Sequence, residues 1–164
     1  MGGPLTAATG FVEAVAGFAT GVVVLTVRDG RDDLGTTVTS FMSVSLDPPL
    51  VVAGVTTSSY LTEVLLRQSR WAATVLASEQ RALAGRFAAE GRPSARILLA
   101  SAPHHRGPRT DALVPDGGVA ALECATRQTV EAGDHTLFVA EVLAADYITR
   151  DAKPLVRVNR RYLT

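Results

Sequence analysis

The chain has a single cysteine, Cys124, in 164 residues. One thiol excludes an intrachain disulfide and a thiolate metal cluster. Its setting, Ala120 to Ala125, is strand-like, so Cys124 reads as a small buried hydrophobe. Net charge is also absent, since 16 Lys and Arg balance 16 Asp and Glu. Without a basic excess there is no electrostatic footprint for nucleic acid or for an anionic membrane. So little net charge also does little to oppose self-association. No apolar run approaches the roughly 18 residues of a membrane helix, and no basic segment with a long apolar core opens the chain. The expectation is a soluble cytoplasmic protein. CxxC, HExxH, P-loop and Gly-x-Ser-x-Gly patterns are all missing; Ser58-Ser59, flanked by Thr57 and Tyr60, is no nucleophile elbow. No metal site is expected. His104 and His105 are neighbours that point apart on a strand, with no carboxylate or cysteine nearby in sequence to complete a site.

What the chain does have is apolar: 47% of its residues are hydrophobic, enough for one domain spanning 1–164 with its core in about 11–162. Met1 to Thr9 reads as loose. Phe11, Val15 and Phe18 recur at helical spacing, which predicts a short amphipathic helix over 10–19. Val22 to Val27 is a buried strand. Asp29-Gly30 is a hairpin turn signal, and Leu34 to Val44 returns antiparallel. Leu50 to Val55 is continuously apolar, like a strand buried on both faces. Ser58 or Ser59 caps a helix to about Gln68, with Glu63 and Arg67 as a favourable (i, i+4) pair. Trp71 to Leu76 is a strand, and a helix opening at Ser78 ends at Gly91-Arg92-Pro93. The region 94–118 carries the weakest pattern. Val119 to Val130 and Thr136 to Ala144 form a second hairpin, and Pro154 to Val158 a closing strand. About seven strands with mostly antiparallel connections predict a mainly β fold with flanking helices, closed as a barrel.

The chain is organised around Gly35 to Leu50, GTTVTSFMSVSLDPPL. Its alternating, hydroxyl-rich front half has strand chemistry, and Asp47-Pro48-Pro49 ends the strand by removing two backbone donors. Thr56-Thr57-Ser58-Ser59 then sets four hydroxyls at a helix start. Small hydroxyl residues at a strand end followed by such a helix start make a cradle for a flat polar ligand carrying a phosphate. The same residues also fit an ordinary strand, turn and N-cap. His135 has two readings as well: an exposed residue of a Gly-Asp turn, or a functional group at the head of a strand.

Several segments together resemble the flavin reductase family of two-component monooxygenase systems. They are Phe18 to Thr26, Gly35 to Phe41, Ser43 to Leu50, Trp71 to Leu76, Gln80, Phe87-Ala88, Leu122 to Cys124 and Gly133 to Phe138. They occur in the family's order and cover roughly residues 11 to 162. The resemblance implies the FMN-binding split β-barrel, a Greek-key antiparallel barrel, as a homodimer. It implies an NAD(P)H-dependent flavin reductase that supplies reduced FMN or FAD to a partner monooxygenase, with NADH or NADPH as co-substrate.

By the same resemblance the flavin sits against Gly35, Thr36, Thr37, Val38, Thr39 and Ser40, with Gly54, Val55 and Thr56 on the ring and ribityl chain. Ser58 and Ser59 take the phosphate, with Arg86 and Phe87 nearby; Arg86 is otherwise a surface helix charge. His135 matches the family's Gly-Asp-His motif and is the catalytic-site residue that positions the nicotinamide. Tyr162 matches the C-terminal aromatic that covers the nicotinamide, or is an edge packer. The chain departs from the family at Thr56-Thr57, where Asn-Arg/Lys is usual. It departs again near Ser94 to Arg96 and Leu113 to Pro115. These departures motivate two alternatives: a flavin-binding barrel without reductase activity, acting as a carrier or on another substrate, and an interaction barrel without flavin.

Overall fold

The structure, a computed structural model, describes residues 7–163. Most of the segment expected to be loose lies outside the described residues, but Ala7 to Thr9 belong to the first helix, α1 (Ala7–Ala16). After α1 come β1 (Thr20–Gly21), β2 (Val23–Asp29), β3 (Asp32–Val38), β4 (Phe41–Leu46) and β5 (Pro49–Thr56). Then follow α2 (Tyr60–Arg67), β6 (Arg70–Val75), α3 (Arg81–Ala88), α4 (Ala95–Leu98), β7 (His104–Arg106) and β8 (Leu113–Pro115). Two long strands, β9 (Ala120–Ala132) and β10 (His135–Tyr147), and two short ones, β11 (Val156–Val158) and β12 (Arg161–Leu163), end the chain.

Seven strands form one antiparallel sheet in the order β3-β2-β6-β9-β10-β5-β4. The sequence predicts a single strand over 34–44, and the structure breaks it. Val38 pairs with Val23, the first residue of β2, so beyond Val38 the ladder has no partner left. Thr39 and Ser40 carry the chain across to β4, which pairs with β5 at the other end of the sheet. There the Gly54 N–H donates to the Ser40 carbonyl at 2.7 Å, joining the end of β3 to β5 and rolling the sheet into an antiparallel barrel.

Alternation along β2 feeds two cores. Val23, Leu25 and Val27 pack inside the barrel with Val51, Ala53, Val55, Trp71, Phe138 and the buried face of α2. Val22 and Val24 face outward, under Leu83, Ala84 and Phe87 of α3 and Leu99, Leu113 and Leu155. The strand expected to be buried on both faces is buried chiefly on one. Val51, Ala53 and Val55 are core, whereas Leu50 and Val52 are half-exposed. Cys124 is fully buried, and burial pushes its thiol up to about 12.

Two predicted local features change. The apolar stripe of α1 touches no core: Phe11, Val12 and Val15 are exposed, and so is Phe18 just beyond the helix. Arg67 pairs not with Glu63 but with Asp29 and the Tyr60 hydroxyl, since α2 lays its polar edge along the turn after β2.

The weakly patterned region 94–118 is ordered by one buried carboxylate. Asp33 is 1% exposed and accepts from Arg106 at 2.7 and 2.9 Å and from Arg96 at 2.9 Å. The Ser94 hydroxyl donates to the Asp33 carbonyl. Glu123, also buried, ties the same region down by accepting from the N–H groups of Arg109 and Thr110. Within it, His104 to Arg106 pair with Leu113 to Pro115 as the two-stranded β7–β8 ribbon. His105 bonds Asp116 through Nδ1 at 2.7 Å, and the described residues hold no cluster of three metal-ligating side chains.

Gly35 shows how closely α3 packs on β3. A Cβ there would lie 2.7 Å from the Phe87 ring and 2.9 Å from the Leu25 carbonyl. Neither the buried ring nor the backbone can retreat freely, so Gly35→Ala is expected to lower stability by about 1–3 kcal/mol. Thermal melting of the variant against the parent measures it.

Candidate active site

A cavity of about 530 Å³ opens where β3 leaves β2. Its walls are Thr36, Thr37, Val38, Thr39 and Ser40 on one side and Gly54, Val55, Thr56, Ser58 and Ser59 on another. Ala88, Glu90, Gly91 and Arg92 also line it, and so does His135. The size falls within the range of ligand pockets.

The β3 wall offers backbone groups. β3 is an edge strand, so alternate residues turn their N–H and C=O away from β2. At Asp33 that outward carbonyl is met by Ser94, and at Gly35 by Arg92 Nε at 2.6 Å. The next outward residue is Thr37, where the cavity begins; among the described residues nothing pairs its backbone groups. Its hydroxyl is engaged elsewhere, donating to the Ala84 carbonyl at 2.7 Å. An open strand edge with one donor and one acceptor beside small side chains fits the polar edge of a flat heteroaromatic ring.

The helix start is built from local bonds. The Ser59 hydroxyl accepts from the Leu61 N–H at 3.2 Å and caps α2, and the Ser59 N–H donates to the Thr56 carbonyl. Ser58 lines the cavity beside it. Thr57, which stands where the family carries a basic residue, turns away. Its N–H donates to the Asp134 carbonyl at 2.9 Å and its hydroxyl meets the Thr136 hydroxyl at 3.0 Å. Thr57 therefore locks the turn that holds His135.

That turn joins β9 to β10 through Gly133 and Asp134, with positive φ at Gly133 (63°) and not at Asp134, the type II′ pattern. His135 opens β10 opposite Thr56. Its Nδ1 lies 2.7 Å from Asp134 Oδ1. The hydrogen bond from the imidazole holds the Asp134 carboxyl below its ordinary range. With Nδ1–H donating to Asp134, Nε2 is the nitrogen left to accept from a ligand.

The structure gathers Thr36 to Ser40, Gly54 to Thr56, Ser58, Ser59 and His135 on one cavity, and leaves out four residues named from sequence. Gly35 lies outside it, its carbonyl taken by Arg92. Phe87 is fully buried in the outer core, because it sits on the α3 stripe with Leu83 and Ala84. Arg86 is one residue round the helix, exposed, and donates to the Ser101 hydroxyl at 3.3 Å. Tyr162 packs on the outer core beside Leu98 and Ala102, in the role of an edge packer.

The cation at the cavity is instead Arg92, which sequence reasoning read only as part of a helix stop. Gly91 has φ 64°, and Pro93 disfavours a helical conformation at Arg92. That reversal sends the side chain back to β3. The Gly-Arg-Pro sequence was the one available signal.

A rolled antiparallel sheet with an open strand edge, a capped helix start and one arginine around a ligand-sized cavity defines a split barrel built for a flat, phosphate-bearing ligand. Comparison with known proteins gives the family. The model of the flavin reductase like domain matches residues 15–164, and the chain belongs to that family. It is 37% identical over 147 residues to the FMN reductase (NADH) SmoA of Agrobacterium fabrum, covering 88% of this chain and 79% of that one. It is 34% identical over 152 residues to the reductase component of 4-hydroxyphenylacetate 3-monooxygenase of Thermus thermophilus, covering 93% of each. Among solved structures, the NADH:FAD oxidoreductase SgcE6 of Streptomyces globisporus, in complex with NAD and FAD fragments, superimposes with a TM-score of 0.89 at 30% identity. That match covers 99% of this chain and 96% of the other.

Proposed function

We propose that this chain is an NADH-dependent flavin reductase that supplies reduced flavin to a monooxygenase. The observation that carries the reading is the cavity between the open edge of β3 and His135, on the fold of NADH-dependent flavin reductases. Bound here, a flavin would supply the redox chemistry, as acceptor of the hydride that leaves nicotinamide C4 when NADH becomes NAD⁺. The residues of this chain bind and orient. Thr37 offers its backbone donor and acceptor to the ring's polar edge. Gly54 lets the Ser40 end of the wall pack closely on β5 beside the ring and ribityl chain, since a Cβ there would lie 3.0 Å from the Ser40 Cβ. Ser58, Ser59 and Arg92 hold the phosphate, Arg92 taking the place that sequence reasoning gave to Arg86. His135 Nε2 accepts from the nicotinamide carboxamide, so the hydride donor is stacked at the flavin rather than free to drift. No general base is required of the protein.

The departures from the family pattern have structural jobs here: Thr57 braces the His135 turn, and the 94–115 region is pinned on Asp33. Neither removes a wall of the cavity, which favours the reductase reading over a flavin carrier. We further propose a single domain acting in the cytoplasm as a homodimer. The exposed apolar residues of α1 and of β4 (Met42, Val44 and Leu46) support self-association. The described residues include no helix long and apolar enough to cross a membrane.

Anaerobic addition of NADH to the protein with FMN or FAD tests the function. Bleaching of the yellow flavin at catalytic rates is the expected result. A flavin that binds and stays yellow would return the weight to the carrier reading.

A further inference from the structure

A second cavity, of about 330 Å³, adjoins the main one and shares Ser59, Gly91 and Arg92 with it. These are the residues assigned above to the phosphate end of the flavin. The second cavity therefore starts where FMN stops. It is lined further by Asp32, Tyr60 and Pro93. Tyr60 is 56% exposed, although an exposed aromatic at a helix start gains nothing from water. The Arg67 guanidinium lies 5.7 Å from the ring centroid, a cation that helps hold the ring in place.

Arg92 stands in the shared wall. It is half-buried, and burial pushes its guanidinium below the ordinary arginine range with no carboxylate to offset it. Its bonds run to two carbonyls, of Gly35 and Ala89. Glu90 lines the main cavity, yet forms no ion pair with Arg92 among the described residues. A partly desolvated cation between two cavities, without a counter-charge, suits a diphosphate that passes from one to the other.

We infer that the flavin preferred by this chain is the dinucleotide FAD, with its ring in the main cavity, its diphosphate at Arg92 and its adenosine in the adjoining cavity against Tyr60. The inference rests on the reductase reading and deepens it. Tyr60 supplies a stacking face for adenine. Asp32, whose Oδ1 accepts from the Asp33 N–H, keeps its other oxygen for a ribose hydroxyl or the adenine amino group. FMN would use only the main cavity.

Equilibrium titration of the full-length protein with FMN and with FAD, followed by flavin fluorescence, tests it. FAD is expected to bind at least about tenfold tighter, the effect of one stacked base. Tyr60→Ala should remove most of that ratio, and Tyr60→Phe, which keeps the ring, should preserve it. Equal affinities in the parent protein, or a ratio that survives Tyr60→Ala, would overturn the inference and leave the reductase reading standing. Binding of neither flavin would overturn both. The parent ratio alone decides the matter if Tyr60→Ala fails to fold.

Discussion

His135→Ala is expected to cut kcat/KM for NADH by about 10- to 100-fold while changing flavin affinity by less than about twofold. The loss is that of one well-placed hydrogen bond, about 1–3 kcal/mol, applied to the hydride donor. The flavin keeps Thr36 to Ser40, Gly54 and the phosphate-end residues, so its binding is spared. His135 is held for this task by Asp134 on Nδ1 and, one step back, by the Thr57 bonds to Asp134 and Thr136. Asp134→Asn retains an acceptor for Nδ1–H and should be mild. Asp134→Ala releases the ring and should raise KM for NADH more than it lowers kcat. Steady-state kinetics beside flavin titration separates these effects. Equal losses of NADH use and flavin binding in His135→Ala would refute the role.

Asp33→Asn is expected to lower stability by about 2–3 kcal/mol, because it leaves Arg96 and Arg106 facing a neutral group in a buried spot. The figure is held below that of a fully buried cluster because Arg96 is 58% and Arg106 32% exposed. For a chain of this length that is roughly 6 °C of melting temperature. The effect depends on pH with a definite sign. Burial favours the neutral acid, but hydrogen bonds from Arg106 and Arg96 outweigh it and hold the carboxyl below its ordinary 3.8. The contribution of Asp33 is therefore fully present above about pH 5, and is lost as pH falls through 3.8 toward the folded-state value. Melting curves of the two proteins should differ by a constant amount near neutrality and converge in acid. A gap that stays constant into acid would show that the carboxylate charge is not what holds the 94–118 region.

The sequence carried the parts of this fold that are decided locally. The turn at Gly133-Asp134 was legible because a two-residue hairpin has its own chemistry, and Ser59 because N-caps do. The Thr36 to Ser40 wall and Ser58 were legible through the family motifs. The long-range partners were not. Nothing next to Asp33 in sequence sets it apart from its charged neighbours; only its partners 63 and 73 positions away make it a buried hub. Arg92 was hidden for the same reason, since its distinguishing contact, the Gly35 carbonyl, is 57 positions away. Arg86 looked better by composition because it adjoins Phe87, but one helical step decides between core and solvent, and both residues fell off the cavity. The break at Thr39-Ser40 follows from where β2 begins, which no property of residues 34–44 records.

The most direct measurement is a crystal structure of this protein soaked with FAD. The flavin ring is expected against Thr36 to Ser40, with its polar edge on the Thr37 backbone, its diphosphate at Ser58, Ser59 and Arg92, and His135 on the open side of the ring. Another apolar cavity, of about 480 Å³, lies between Phe18, Met42 and Leu137 on the far side of Thr39-Ser40. A flavin seated there, with the His135 cavity empty, would show that the open edge of β3 is not the flavin site.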